Sequence, residues 1–272
     1  MIKNNSAHKE MSFLDHLEEF RWHLIRSVLA ITIFGLLAFV FKQIVFDVIL
    51  MAPKSPDFFT NMLLCDLGKL LNIQKLCINA NTFQIINIKM TGQFMSHIIV
   101  SVVTGIILGF PYLVYELWRF IKPALYKSEI KNSRGIIFFA SFFFIIGVLF
   151  GFYIVCPLSV HFFGTYSVSS NIPNTIHLSY YISMISSILL SCGIMFQLPL
   201  VVYFLSKSGL ITPEFLKKYR RHAVVIILVL AAIITPPDII TLGLVSFPLL
   251  LLYELGIKIS GRIMKKQLDK KI

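Results

Sequence analysis

The chain has 272 residues, of which 57% are hydrophobic and only 14% charged, and its mean hydropathy is +0.80. This composition is typical of a membrane protein and excludes both a disordered chain and a large extramembrane enzyme. The net charge of +12 is first a signal of orientation in a bilayer and only second an indication of nucleic-acid binding. We expect no nucleic-acid partner.

Four long apolar runs predict membrane-spanning helices, because a helix needs about 20 mostly apolar residues to cross a hydrocarbon core of about 30 Å. The predicted helices cover residues 24–46, 94–117, 136–157 and 180–205. The first is an uncleaved anchor rather than a signal peptide, since four acidic residues precede it and its apolar run is too long.

Two shorter apolar runs predict a helical hairpin at the C-terminal end, with helices near 222–236 and 239–256. The apolar part of the first, residues 223–234, would be only about 18 Å long, which is less than the hydrocarbon thickness. Either the bilayer thins around it or the hairpin is re-entrant. The charges on both sides of the pair favour a full crossing with thinning.

The basic residues fall mostly on alternate sides of these segments, 20 on one side and 5 on the other. By the positive-inside rule, this bias predicts six crossings with both termini in the cytoplasm. The whole chain, residues 1–272, is then a single all-α membrane domain without a separate soluble domain.

The longest non-cytoplasmic loop is predicted to run from residue 47 to residue 92. Within it, residues 58–73 carry apolar side chains at helical spacing, which predicts a short helix on the membrane surface. Cys65 and Cys77 lie in this loop, on the oxidising side, and form either a disulfide or two free thiols. Cys156 and Cys192 lie in or beside apolar runs and are expected to be packing residues.

The acidic residues are informative because there are only 13 of them. On the cytoplasmic side, Glu19 and Glu129 are candidates for binding a cationic partner, because a carboxylate pairs bidentately with a guanidinium. The alternative is an internal salt bridge, for instance to Arg21 or Arg134.

Three further acids, Glu116, Asp238 and Glu254, lie in or beside the membrane, where an acid is a functional candidate by default. All three are expected to be close enough to an interface to be solvated. Asp238 could also cap the last helix, its carboxylate accepting backbone N–H groups.

The chain lacks the common catalytic and nucleotide-binding motifs: a phosphate-binding Gly-Lys loop, His-Glu-x-x-His, Gly-x-Ser-x-Gly and a cysteine quartet. We therefore expect no catalytic residues, no cofactor and no metal site.

Four motifs resemble the TatC family, the polytopic subunit of the twin-arginine protein translocase. They are His-Leu-Glu-Glu-Phe-Arg at 16–21, Phe-Ile-Lys-Pro-Ala-Leu-Tyr-Lys-Ser-Glu at 120–129, Phe-Gln-Leu-Pro at 196–199 and Thr-Pro-Pro-Asp at 235–238. They occur in the family's order, each at the matching topological position, and the resemblance covers about residues 13–265.

The resemblance implies a cupped, concave bundle of six helices whose last two are short. It also implies recognition of paired-arginine signal peptides, assembly with single-span TatA- and TatB-type subunits, and export of folded proteins driven by the proton-motive force. The implied setting is the bacterial cytoplasmic membrane or an organellar inner membrane, in an oligomeric complex surrounded by lipid. The residues implied at the signal site are Glu19, Glu129, Arg21, Phe120 and Lys127, and those implied on the opposite side are Pro53 and Asp238.

The chain departs from the family pattern at three positions. Gln197 stands where the family usually has Glu, which puts a proton-carrying role in doubt while leaving a polar contact to a partner helix open. Glu116 stands where relatives often have Gln, and one hypothesis is that the charge has moved there. Normal export by a Glu116→Gln variant would count against that hypothesis. His23 stands where a second Arg is common.

The alternative function is a secondary transporter or channel for a small solute, because bent helices and acids near the membrane also fit a solute path. That alternative would require flux without partner subunits, and broken helices in two repeated halves, which the sequence does not display.

Overall fold

The computed structural model describes residues 13–72, 83–122, 133–169, 174–235 and 239–268. Nearly all of this part of the chain is helical. The helices are α1 Phe13–Val40, α2 Phe59–Leu70, α3 Gly92–Ile121, α4 Ser133–Phe150, α5 Cys156–Thr165, α6 Leu178–Met195, α7 Leu198–Lys207, α8 Pro213–Lys218, α9 Arg220–Ile234 and α10 Ile239–Leu268. Two short strands, β1 Gln84–Ile86 and β2 Thr175–His177, complete the list together with π-helical segments at Ile44–Leu50 and Gly151–Val155 and a 3-10 turn at Ala52–Lys54.

Five helical stretches within the described residues are long and apolar enough to cross a membrane. They are Leu17–Val40, Gly92–Ile121, Gly135–Thr165, Leu178–Lys207 and Thr241–Lys265. The four long predicted helices and the last one are thus confirmed as spanning candidates. The fifth predicted helix is α9, which has 15 residues and a length of about 22 Å. The number of crossings and the side of the termini remain predictions.

The hairpin at the end of the chain closes through an ion pair. Arg220, at the start of α9, donates to Glu254 of α10 at 2.7 Å, so α9 runs antiparallel to the first half of α10. The helix α10 has 30 residues and is longer than predicted. It continues past the apolar run because packing continues, with Ser260 buried and bonded to Ser206 of α7 at 2.8 Å.

Small residues let α1 and α3 approach closely. A Cβ placed on Gly105 of α3 would lie 2.6 Å from the carbonyl oxygen of Ile31 and 2.8 Å from the amide nitrogen of Gly35, both on α1. One turn further along α3, a Cβ on Gly109 would lie 3.1 Å from the Ile31 side chain. Such contacts are the usual basis of tight helix pairing in membranes, where the hydrophobic effect between helices is weak. The α1–α3 interface therefore depends on the absence of side chains at these positions.

The packing centre of the bundle lies on α6, whose buried residues include Tyr181, Ile182, Ile185 and Ile188. The hydroxyl of Tyr181 donates to the Leu50 carbonyl at 2.9 Å, which ties this centre to the π-helical segment after α1. The helix is interrupted between α6 and α7, at Phe196 and Gln197, just before the buried Pro199. Proline cannot donate a backbone hydrogen bond, and a helix break at this point removes the need for one.

The helix α2 confirms the helix predicted near residues 58–73, and its burial pattern is inverted relative to a soluble helix. Five of its large apolar residues are exposed to between 43% and 80%, and Leu64 is half-buried, while Thr60, Asn61 and Gly68 are buried. The Thr60 hydroxyl donates to the Tyr153 carbonyl, and Asn61 donates to the Ser55 carbonyl at 2.9 Å. An exposed apolar face is what a helix on a membrane surface presents to lipid, and its placement there remains a prediction.

The two strands form a parallel pair that the sequence did not predict. Ile85 is in register with Ile176, and Gln84 and Ile86 pair with Thr175 and His177. The pair joins the loop before α3 to the loop before α6. Three-residue strands are too short to leave an alternating pattern that could be distinguished from loop sequence.

Candidate functional site

The first candidate residue, Glu19, lies on α1 rather than in a segment before it. The helix begins at Phe13, eleven residues before the predicted start, so Glu19, Arg21 and His23 share one rigid element. Glu19 is half-buried, and its Oε2 atom is inaccessible to solvent and has no hydrogen-bond partner among the described residues. A buried acceptor without a donor costs about 1–3 kcal/mol, so Glu19 provides an unfilled acceptor position.

Two aromatic rings bring the N-terminal end of α1 to the C-terminal end of α3. The Phe20 and Phe120 ring centroids are 5.0 Å apart. Three basic residues next to these elements in the sequence are exposed: Arg21 on α1, Arg119 on α3 and Lys122 directly after α3. Glu19 therefore lies beside an aromatic contact between the two helices, at an end of the bundle that also carries exposed cations.

One helical turn deeper, a buried polar group connects the same two helices. His23 Nδ1 lies 2.5 Å from Glu116 Oε2, and the Tyr112 hydroxyl donates to Glu116 Oε1 at 2.8 Å. Glu116 is 1% exposed and His23 is 5% exposed. The expectation that Glu116 is solvated near an interface is wrong, since the protein itself buries this side chain.

Tyr112 was not predicted from the sequence as a partner of this carboxylate. The spacing of Tyr112 and Glu116 indicates the contact, because residues four apart lie on the same face of a helix and can interact. The pairing of His23 with Glu116 joins positions 93 residues apart, and no spacing rule within one sequence indicates it.

On the other side of the molecule, Pro53 is fully buried in the 3-10 turn. Its carbonyl accepts a hydrogen bond from Asn61 of α2 at 3.3 Å, and the adjacent Lys54 ammonium lies 5.1 Å from the centre of the Phe83 ring. Pro53 thus holds the end of the α1 segment against α2. Its functional role remains a prediction.

Several predicted site residues, namely Glu129, Lys127, Asp238 and Cys77, lie outside the described residues. Cys65, on α2, is disulfide-bonded, and its pairing with Cys77 remains a prediction. Cys156 and Cys192 are free thiols buried in the core, in agreement with a packing role. No group of three or more potential ligands for a metal ion occurs in the described part of the chain.

Comparison with known proteins decides the family. A family model described as "Sec-independent protein translocase protein (TatC)" matches residues 15–248. The chain belongs to the TatC family. A TatC protein from Blattabacterium sp. subsp. Periplaneta americana (strain BPLAN) is 45% identical over 260 residues, which cover 95% of this chain and 98% of the relative. A TatC protein from Aquifex aeolicus (strain VF5) is 33% identical over 264 residues, covering 96% of this chain and all of the relative.

Two solved structures of TatC proteins are similar in fold. A crystal structure of the twin-arginine translocase receptor TatC aligns with a TM-score of 0.67 at 32% identity, covering 90% of this chain and 97% of that one. A second structure of the receptor, in the detergent DDM, aligns with a TM-score of 0.69 at 33% identity over 89% of this chain and 97% of that one. Together with the spanning helices, these matches identify an integral membrane protein of a protein-transport family.

Two departures from the TatC pattern prove to be neighbours. His23 and Glu116, which the sequence analysis treated separately, face each other across the α1–α3 interface. The carboxylate is therefore not an isolated charge at the end of α3. Its two oxygens have partners within the chain, His23 and Tyr112.

The third departure from the TatC pattern, Gln197, has a structural partner. Its side-chain amide donates to the Ala140 carbonyl of α4 at 3.2 Å, and Ala140 is completely buried. Gln197 stands at the break between α6 and α7, so this bond ties the break to α4. A carboxylate at this position could accept a hydrogen bond but could donate only when protonated.

We expect Gln197→Glu to lower the thermal unfolding midpoint of the purified protein, and to do so more at alkaline than at mildly acidic pH. The ionised acid cannot donate to the Ala140 carbonyl, and losing a hydrogen bond to a buried acceptor costs about 1–3 kcal/mol. The matched control is Gln93→Glu, at an exposed position of α3, which should behave like the wild type. Equal midpoints for Gln197→Glu and the wild type at alkaline pH would contradict the structural role.

Proposed function

We propose that this protein is the subunit of a twin-arginine translocase that binds paired-arginine signal peptides at its cytoplasmic face. In this proposal the carboxylates of Glu19 and Glu129 bind the two arginines, while Arg21, Phe120 and Lys127 shape the site. The protein then performs recognition and assembly rather than bond chemistry, and it requires no cofactor.

The observation that carries the proposal is the unfilled acceptor on Glu19. A carboxylate near exposed cations would ordinarily pair with one of them, yet Oε2 of Glu19 has no donor within the described part of the chain. The adjacent Phe20 contacts Phe120 of α3, so Glu19 lies next to the junction of α1 and α3. A guanidinium from a ligand supplies two parallel N–H donors and would satisfy the carboxylate bidentately once the side chain turns Oε2 outward.

Electrostatics favours a short, specific contact over general attraction. Three exposed cations, Arg21, Arg119 and Lys122, repel a doubly cationic peptide. At physiological ionic strength, salt largely screens this repulsion at distances beyond about 8 Å. Close pairing with a partly buried carboxylate is screened much less. Affinity should therefore depend strongly on the two acids and weakly on the overall charge.

The wider setting belongs to the same proposal. The subunit would lie in a bacterial cytoplasmic membrane, assemble with single-span TatA- and TatB-type subunits into an oligomer, and use the proton-motive force to export folded proteins. Gln197 then serves as a polar contact, whose carbonyl oxygen remains able to accept a hydrogen bond from a partner helix.

Site-specific photocrosslinking tests the proposal directly. A photoreactive residue in place of Ile121, which is exposed beside Phe120, leaves both carboxylates in the protein. It should form adducts with a signal peptide that carries paired arginines, in membranes that contain the partner subunits. The same residue at position 40, at the far end of α1, is the control and should give none. The matched ligand carries two lysines, which lack the planar fork, and should give few adducts. Equal yields with both peptides at position 121 would overturn the site.

A further inference from the structure

The pair formed by His23 and Glu116 is unusual among the charged groups of this chain. Within the described residues, Glu116 is the only carboxylate whose side chain is more than nine-tenths buried. Both of its oxygens are engaged, one by His23 of α1 and the other by Tyr112 of α3. Burying a carboxylate is costly unless hydrogen-bond donors or a balancing charge accompany it. The burial of Glu116 therefore depends on its two partners.

The pair lies directly beneath the proposed signal site. Glu19 and His23 are four residues apart on α1, and Glu116 and Phe120 are four residues apart on α3, so each couple occupies one helix face. The His23 and Phe120 ring centroids are 6.1 Å apart in an edge-on arrangement. The buried pair therefore connects the two helices one turn, about 5.4 Å, below the level of Glu19 and Phe120.

We propose that His23 and Glu116 are a positioning pair, in which His23 engages the buried carboxylate and so keeps α1 and α3 at the spacing that the Glu19 site requires. His23 is needed for this only while the carboxylate is present. This inference rests on the proposed function and adds to it. Neither residue contacts the signal in this proposal, and both act through Glu19 and Phe120.

The two members of the pair are not equivalent. Without His23, the buried carboxylate keeps only the Tyr112 hydroxyl as a donor. A buried carboxylate with one donor is costly, and admitting water or another donor to it would part α1 from α3. With glutamine at position 116, by contrast, His23 faces an uncharged amide. Breaking a buried pair is severe only when it leaves the charge behind.

A double-mutant cycle tests this asymmetry. The variants are His23→Phe, which keeps a ring but removes the nitrogen that engages Glu116, Glu116→Gln, and both together. The readout is the affinity of a fluorescent paired-arginine peptide for the full-length protein purified with its partner subunits. We expect His23→Phe to weaken binding at least about tenfold, and Glu116→Gln to stay within about threefold of the wild type. The double variant should return to within about threefold, which a residue with a purely space-filling role would not produce.

Two outcomes would overturn the positioning pair: wild-type affinity in His23→Phe, or a double variant as weak as His23→Phe. If the His23→Phe protein does not accumulate, the affinity of the double variant is the test, and a double variant that does not bind the peptide contradicts the proposal.

Glu19→Gln is measured in parallel. Loss of binding in Glu19→Gln with normal binding in His23→Phe rejects the pair and leaves the site intact, whereas normal binding in Glu19→Gln rejects the site and the pair with it. Near-normal peptide affinity of Glu116→Gln would also count against the hypothesis that the charge which the family usually carries at position 197 has moved to Glu116.

Discussion

Replacing Glu19 with glutamine should abolish export of a folded reporter that carries a twin-arginine signal, while insertion of the protein into the membrane is unaffected. The substitution keeps the shape of the side chain and removes its charge, so the guanidinium loses its charge-assisted acceptor. Truncating one partner of a desolvated charge pair costs about 2–5 kcal/mol, which reduces binding by more than tenfold. Glu129→Ala should have the same effect. The measurement is the amount of exported reporter per unit of membrane-inserted protein.

The neighbouring Glu18 provides a matched control, because it carries the same charge on the same helix and is exposed. Glu18→Gln should leave export near the wild-type level, as expected for a solvated surface charge. Wild-type export by both Glu19→Gln and Glu129→Ala would refute the assignment of the site. Equal losses in the Glu18 and Glu19 variants would show that the general negative charge matters, rather than a specific acceptor.

Gly105→Ala should destabilise the protein by about 1–3 kcal/mol, the typical cost of overpacking a close contact. The added methyl group would lie within 3 Å of backbone atoms of Ile31 and Gly35, which cannot move aside as a flexible side chain can. The helices α1 and α3 must then separate. Because these helices hold Glu19 and Phe120 together, peptide affinity should fall along with the thermal unfolding midpoint.

Gly243→Ala on α10 is the matched control for this substitution. A Cβ at Gly243 has no atom within 4 Å, and alanine is favoured over glycine inside a helix by up to about 1 kcal/mol. The control should therefore be as stable as the wild type or slightly more stable. An unchanged midpoint for Gly105→Ala would mean that the α1–α3 contact is looser than the structure indicates.

The positions of the spanning helices could be predicted from the sequence because lipid imposes a simple rule: about 20 apolar residues per crossing. The ends of the helices could not, because they depend on packing outside the apolar core. The helix α1 begins eleven residues early within a charged segment, and α10 continues through residues rich in lysine and arginine. Hydropathy measures where lipid surrounds a helix and does not record where the helix stops.

The candidate site likewise has a part that could be predicted from the sequence and a part that could not. Glu19, Arg21 and Phe120 were identified from motifs, and the structure brings the α1 and α3 members together. The pairing of Glu116 with His23 could not be deduced, since this contact depends on how α1 and α3 are rotated against each other rather than on local spacing. The expectation that Glu116 would be solvated failed for the same reason: depth along a helix is readable from the sequence, but coverage by a neighbouring helix is not. The segment with Glu129 and Lys127 lies outside the described residues, so its part of the site remains a prediction.

The strand pair β1–β2 has a mechanical consequence. It fastens the chain before α3 to the chain before α6 through backbone hydrogen bonds, so the starts of these two helices are tied together. Phe120 lies near the other end of α3, where its ring contacts Phe20 of α1. The strand pair and the proposed signal site therefore restrain opposite ends of the same helix.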